Sequence, residues 1–448
     1  MTDKTTGFTN AIARFIVNTE DREIPQKVRE HAKVAFMDWI GVTMGGKEDP
    51  LVKKLIHYAD LMGGNEQATI LGHGLKKSVS QAALINGGAS HALDYDDTLT
   101  LFLGHPSVTL FPSLLALAEW KEKSGPDFLT AYIIGLKAGA TIGACAGIEH
   151  YMSGWHATST LGHFASAAAC ARVMGLNEQQ TTYALGIAGT QACGLKRVFG
   201  TMCKPFHAGR SSQAGLMAAL LAQDDFTSVE DILEGTHGFF QVLKGQVNDK
   251  VVETLGKTWD IENLAQKYHA SCHATHSPIE AVSSILEKEG LSTDEIVSIE
   301  IHSSQLALDA AGNMAPKTGL EGKFSIPYCV ANGILRGNTG MQAFTDEKVN
   351  DPEVASFMEK ILVSLDSGIE ALEANVTVKT AGGREFSGFS DILKQIPDLE
   401  IKRSKIKRKF RDLCGPVLGE AKTEDLMESI LSLEEVGSIG SLVDKATK

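Results

Sequence analysis

Val28-Arg-Glu-His-Ala-Lys-Val-Ala-Phe-Met-Asp-Trp-Ile40 carries apolar residues at Val28, Ala32, Ala35, Phe36 and Ile40, three and four positions apart. That spacing lines one face of an α-helix, whereas a half-buried strand alternates every second residue. The same period, interrupted by Gly-rich breaks, runs from about Thr9 to about Leu243. Ala and Leu dominate there and β-branched alternation is scarce, which predicts an all-helical domain whose small residues let helices approach closely. No strand is required in this part.

After His273 the pattern changes. Ile296 to Ser303 and Ala374 to Thr380 alternate with period two, and the second leads into Ala381-Gly382-Gly383-Arg384, a hairpin turn. Helices predicted over Ser277–Glu289 and Pro352–Ile361 would cover one face of a small sheet, giving an α+β unit. The stretch from Ser404 to Val443 is helical again and is expected to fold back on the first domain.

The 448 residues carry a formal charge of −13, which argues against nucleic acid as a general partner because neutralising phosphates needs clustered Lys and Arg. Seven cysteines, at 145, 170, 193, 203, 272, 329 and 414, form no CxxC pair, so neither a disulfide framework nor a zinc ribbon is expected and a reducing compartment fits. Met1 to Arg14 shows no export signal, and a cytoplasmic location is expected. Leu129 to Ile148 is the most membrane-like run, but its Gly, Ala and Lys137 suit close helix packing better than a lipid span, so no membrane partner is expected.

Chemistry-bearing residues concentrate in four places. His91-Ala-Leu-Asp-Tyr-Asp-Asp-Thr98 with Gly104-His-Pro-Ser107 packs three carboxylates and two imidazoles into seventeen residues. Gly154-Trp-His156, Lys204-Pro-Phe-His207 and Cys272-His-Ala-Thr-His276 repeat that grammar, and six of the fourteen histidines (91, 105, 156, 207, 273 and 276) fall in these segments. A single histidine beside a helix end is commonly a cap or a core residue; the clustering argues for one active site assembled from four loops. Helix starts are expected at Ser277-Pro278, at His105-Pro106-Ser107 ahead of Leu110–Trp120, and at Lys204–Ser212 ahead of Gln213–Ala222. Their free N–H groups, with Lys204, make a cradle for carboxylates.

A metal is the competing reading, with Asp94, Asp96 and Asp97 for a hard cation or His273 and His276 for a transition metal. The Asp run lacks the pattern of a calcium loop and no HExxH occurs, so these carboxylates are read as orienting His or Lys. No GxGxxG following a strand, no GxxxxGK[ST] and no GxSxG are present, which argues against nucleotide binding and an α/β-hydrolase. Cys272 is read as a packing residue.

Taken with Gly154-Trp-His-Ala-Thr-Ser-Thr-Leu-Gly162, Gly200-Thr-Met-Cys-Lys-Pro-Phe-His-Ala-Gly209, Phe324-Ser-Ile-Pro-Tyr328 and Lys409-Phe410-Arg411, these motifs closely resemble the MmgE/PrpD family nearly end to end. That family comprises 2-methylcitrate dehydratases, cis-aconitate decarboxylases and iminodisuccinate epimerases. The resemblance implies a mainly α fold: a large all-helical domain, residues 1–262 and 402–448, plus a smaller α+β lid domain, residues 263–401. It further implies a homodimer, chemistry with no cofactor and no metal, and a small polycarboxylate substrate. Carried over by motif, the catalytic residues are His105, His273, Lys204 and Asp94, and the substrate-binding residues are Thr98, His156, Lys267 and Tyr328. The implied activity is a metal-independent lyase, a decarboxylase or dehydratase working through a carbanion or enediolate beside a carboxylate. An epimerase of a substituted succinate, using the same proton-transfer residues, is the alternative. Asp96 stands where the dehydratase branch carries Asn, and the apolar approach Leu101-Phe-Leu-Gly104 is shared with the epimerase-like branch.

Overall fold

Behind Pro25, the helix Gln26–Gly46 buries not one stripe but almost its whole circumference, including Val28, Ala32, Ala35, Phe36 and Ile40. A helix buried on nearly every side belongs in a core, and its buried Lys33 and Asp38 are paired there with Glu30 and Lys409. Phe36 and Trp39 meet Phe111, and Phe111 stacks on Tyr132 at 3.9 Å between ring centroids, so the aromatic centre of the molecule sits against this helix. The computed structural model describes residues 7–370 and 372–447. They fall into two compact units, Met1–Gln266 with Leu399–Lys448, and Lys267–Asp398.

In the first unit the helices Val79–His91, Ser107–Trp120, Ala157–Met174 and Cys203–Gln223 pack on one another. Small residues permit this. A Cβ on Gly87 would fall 2.6 Å from Gly209 Cα, so Val79–His91 and Cys203–Gln223 meet backbone to backbone. Helix Leu399–Leu418 returns onto Gln26–Gly46, with Phe410 and Leu413 against Gly41. Helix Gly125–Met152 is long and apolar enough to cross a membrane, yet 94% of its most apolar window is buried within the protein. Its Lys137 ends 2.9 Å from Asp260 Oδ2 with two threonine hydroxyls beside it, so the charge is matched internally.

Two expectations for this unit fail. Ala68–Ile70 and Leu75–Lys77 form an antiparallel hairpin, in register Ala68↔Lys77, around Gly72 and Gly74 with positive φ. Three-residue strands are too short to show alternation. The predicted start at Gln213 is also displaced: the helix begins at Cys203 and takes Lys204 and His207 into its first turns. Pro205 does not prevent this, because first-turn N–H groups have no intrahelical partner to lose.

The second unit holds a four-stranded sheet in the order Ile361–Leu365, Ile296–Ser303, Glu373–Thr380, Glu385–Asp391; the first pair is parallel and the others antiparallel. Ile299, Ile301 and Ser303 point inward, as the period of two predicts, and Ile296 is also buried because the register shifts at a bulge between Ile296 and Ser298. Helix His276–Glu289 covers Glu373–Thr380 and Glu385–Asp391. Two boundaries differ from expectation. The helix expected to run to Ile361 ends at Met358, because Ile361-Leu-Val-Ser-Leu365 pairs with the central strand. The helix expected to be capped by Ser277 starts at His276, and the Ser277 hydroxyl instead donates to the Leu372 carbonyl. The molecule is thus mainly α, with a smaller α+β part.

Candidate active site

The C-terminal end of Val79–His91 delivers His91, and the chain then turns through Asp94, a non-glycine residue in the left-handed region at φ 51°. Aspartate tolerates that conformation better than most residues. The turn sends successive carboxylates to different partners. Asp94 faces outward, where Oδ1 accepts from Lys204 Nζ at 2.9 Å. Asp96 faces inward and is buried, with both its oxygens 3.0 Å from His91 Nδ1 and Oδ2 2.9 Å from His105 Nδ1. Asp97, also buried, takes the backbone N–H of Ser107 at 3.3 Å and its hydroxyl at 2.5 Å, which fixes the start of helix Ser107–Trp120.

Burial would raise the Asp96 carboxyl, but the two imidazoles outweigh it and hold the group well below the usual carboxylate range. Asp96 is therefore ionised. Burial pushes His91 down to about 4 against the pull of Asp96, so His91 is neutral near pH 7. The carboxylate at His91 Nδ1 favours the tautomer with the proton there and leaves Nε2 with a lone pair. His105 Nδ1 faces the same carboxylate at ion-pair distance without a well-formed hydrogen bond, and its Nε2 lies 3.8 Å from Asp94 Oδ1, on the outward side shared with Lys204. Burial has the opposite effect on Asp97, which with Asp38 nearby is raised well above the carboxylate range.

His105 is set by the loop Leu99–Gly104, which closes on itself through the Leu99 N–H and the Gly104 carbonyl, 2.9 Å. The His105 N–H donates to Thr158 Oγ1 at 3.1 Å. A Cβ on Gly104 would run into that hydroxyl and lie 2.9 Å from the Thr158 nitrogen, so only glycine lets the two segments meet. His156, the N-cap of Ala157–Met174, stacks over His91 at 6.1 Å and places Nδ1 3.0 Å from His207 Nδ1. Burial and then the neighbouring imidazoles hold His156 far below its ordinary range. Thr98 pairs its backbone with Ala265, 2.8 and 2.9 Å, while its buried Oγ1 has no hydrogen-bond partner among the described residues.

Of the residues expected from the sequence, Asp94, His105 and Lys204 converge in this unit, with His156 one ring further on. Lys267, His273 and Tyr328 belong to the second unit. There His276 lies between His269 and His273, with ring centroids at 4.8 and 4.9 Å. His269 places Nε2 3.1 Å from Glu280 Oε1 and Nδ1 2.6 Å from Thr339 Oγ1. Lys267 is buried. Tyr328 is fully buried, its hydroxyl donating to the Ala343 carbonyl at 2.5 Å.

His91 and His207 count among the clustered histidines and Asp96 among the orienting carboxylates, but none of them, nor His269, is among the residues given a role by motif. His91 and Asp96 stood in the quoted motif, and their separation of five residues across a helix end was the available signal. His269 belonged to none of the motifs.

Among known proteins, the pattern of the MmgE/PrpD N-terminal domain matches residues 10–251 and that of the C-terminal domain residues 269–435. The chain is similar to a cis-aconitate decarboxylase of Aspergillus terreus, 26% identical across 98% of this chain and 95% of that one. It is similar to the Homo sapiens cis-aconitate decarboxylase at 24% identity, over 96% and 92% of the two chains. A mitochondrial 2-methylcitrate dehydratase of Yarrowia lipolytica is 26% identical over 81% of this chain and 73% of its own. The second pattern covers the α+β unit and runs on into the C-terminal helices of the first unit; with both patterns matched over most of its length, the chain belongs to the MmgE/PrpD family.

Proposed function

We propose that the protein is a lyase acting on a small di- or tricarboxylate, with cis-aconitate and 2-methylcitrate as the first compounds to try. The observation that carries this reading is the pairing of His105 with buried Asp96 on one side and with the Asp94–Lys204 ion pair on the other. Decarboxylases and a dehydratase among the relatives support the reaction class.

Each candidate reaction leaves electron density on a carbon beside a carboxylate. Lys204 supplies a cation for a substrate carboxylate, exchanging Asp94 for it, and so lowers the cost of the developing charge. His105, with Nδ1 turned to Asp96, has Nε2 free to accept or return a proton. In decarboxylation the C–CO₂⁻ bond breaks, its electron pair stays on the carbon and one proton is taken up. In dehydration the proton removed from carbon leaves with the hydroxyl as water. Asp94, His105 and Lys204 are assigned to these steps, with Thr98 and His156 to substrate binding; Lys267, His273 and Tyr328 are assigned from the family motif. A cytoplasmic homodimer working without metal completes the proposal.

Proton NMR in D₂O with cis-aconitate, 2-methylcitrate, citrate and substituted succinates tests it. A new alkene signal or a lost carboxylate is expected. Deuterium entering a carbon beside a carboxylate without bond cleavage would assign an epimerase instead, and an unchanged panel would overturn the reading.

A further inference from the structure

His91, Asp94, Asp96 and His105 each bring one donor atom within 4.8 Å of the others. Two imidazoles and two carboxylates suit a borderline first-row divalent ion, whereas magnesium and calcium prefer oxygen alone. The separations are close to what such an ion needs. Bonds of about 2.0–2.1 Å in a tetrahedron hold donors about 3.3–3.4 Å apart; here Asp96 lies 3.0 Å from His91 Nδ1, and His105 offers one nitrogen, either Nδ1 at 2.9 Å from Asp96 Oδ2 or Nε2 at 3.8 Å from Asp94 Oδ1. Coordination through His91 Nδ1 would replace its hydrogen bond to Asp96 and move the proton to Nε2, which is buried with no hydrogen-bond partner among the described residues, a cost that the two carboxylates' attraction for the ion offsets. Burial is graded, with Asp94 exposed, His105 mostly covered and His91 and Asp96 enclosed, so an ion has an approach past Asp94.

One group opposes it. The Lys204 ammonium sits 2.9 Å from Asp94 Oδ1 and would be pushed off by a second cation.

We propose that these four side chains form an inhibitory site for a first-row divalent cation such as Zn²⁺ or Co²⁺, in competition with Lys204 for Asp94. Inhibition rests on the lyase reading above; binding does not. An ion there takes the one basic lone pair of His105 and displaces the ammonium that would hold the substrate carboxylate, so both steps stop together.

Titrating the purified full-length protein with Co²⁺ reads binding without turnover, through the visible d–d absorption of the bound ion and calorimetric stoichiometry. One ion per chain is expected, weakened tenfold or more in Asp96→Asn and, should that variant not fold, in the exposed Asp94→Asn. Lys204→Met should bind Co²⁺ about tenfold tighter or better, since it removes a unit positive charge roughly 4 Å from the ion. Absence of a d–d band, binding unchanged by the Asp variants, or no tightening in Lys204→Met would overturn the site. Zn²⁺ should abolish turnover of whichever carboxylate the NMR panel identifies, with recovery on chelation; full turnover of the Co²⁺-loaded protein would overturn inhibition. Failure of the panel itself would leave the Co²⁺ result readable and count against the lyase alone.

Discussion

Lys409 donates to the carbonyl oxygen of Tyr95, 314 positions earlier in the chain, at 2.6 Å. Tyr95 stands between Asp94, which meets Lys204, and Asp96, which meets the imidazoles, so this single bond grips the loop between its two working carboxylates. Lys409 is buried, pairs with buried Asp38 at 2.6 Å, and lies 3.8 Å from the centre of the Tyr95 ring. Burial, only partly offset by Lys409, pushes the Asp38 carboxyl up to about 6. A buried ion pair is a weak source of net stability but costs much to half-remove.

Lys409→Met alone should therefore destabilise the fold by about 3–5 kcal/mol, because it strands Asp38. The double variant Lys409→Met with Asp38→Leu should recover most of that loss while turnover stays low. Urea unfolding alongside steady-state kinetics separates the two effects. Recovery of activity with stability would show that the pair only supports the core.

His105→Ala should lower turnover by about 10²–10⁴, the range for loss of a positioned acid or base. Anion binding, read by calorimetry, should persist. Lys204→Ala should do the reverse at the binding step. Equal turnover in wild type and His105→Ala would remove His105 from the chemistry.

Gly104→Ala adds one methyl group against Thr158 Oγ1 and displaces the His105 N–H from it. A cost of about 1–3 kcal/mol in thermal stability is expected from the overpacking. A fall in turnover should accompany it, since His105 is carried on that hydrogen bond. Thr158→Ser beside Gly104→Ala keeps the clash with the hydroxyl, so it should not restore stability.

His163 is buried, donates from Nδ1 to the Ser159 carbonyl at 2.7 Å, and is lowered by burial to about 4. With an unfolded value near 6.5, the unfolded chain binds a proton that the folded one refuses until about pH 4. Its contribution is complete above pH 6.5 and falls away as the pH drops through that window, by about 3 kcal/mol at most. Urea midpoints at pH 7 and pH 4.5 should differ accordingly, and His163→Gln should narrow the difference. An unchanged difference would assign the acid sensitivity elsewhere.

Periodicity made the fold class legible because long elements repeat their signal: Gln26–Gly46 and Ile296–Ser303 both lie where the apolar spacing puts them. Short elements escaped it. Ala68–Ile70 offers three buried residues and no alternation, and Ile361 reads equally well as the end of a helix until a partner strand is present. The meeting of Asp94, His105 and Lys204 was suggested by composition, yet the pairing within it was hidden. Asp94, Asp96 and Asp97 look alike as letters, and only the left-handed turn at Asp94 decides that the first meets a lysine, the second two imidazoles and the third a helix start. That conformation is imposed by the surrounding packing, which no local pattern records.

The crossing of Val79–His91 with Cys203–Gln223 at Gly87 and Gly209 lies about one turn from His91 and little more from Lys204. It works as the pivot of a pair of callipers whose jaws are the imidazole end of one helix and the ammonium start of the other. The gauge is set by two hydrogens where side chains would stand. Any methyl group added at the pivot opens the jaws, so the reach between the imidazoles around Asp96 and the anion-holding Lys204 is fixed away from both of them, by two glycines that take no part in the chemistry.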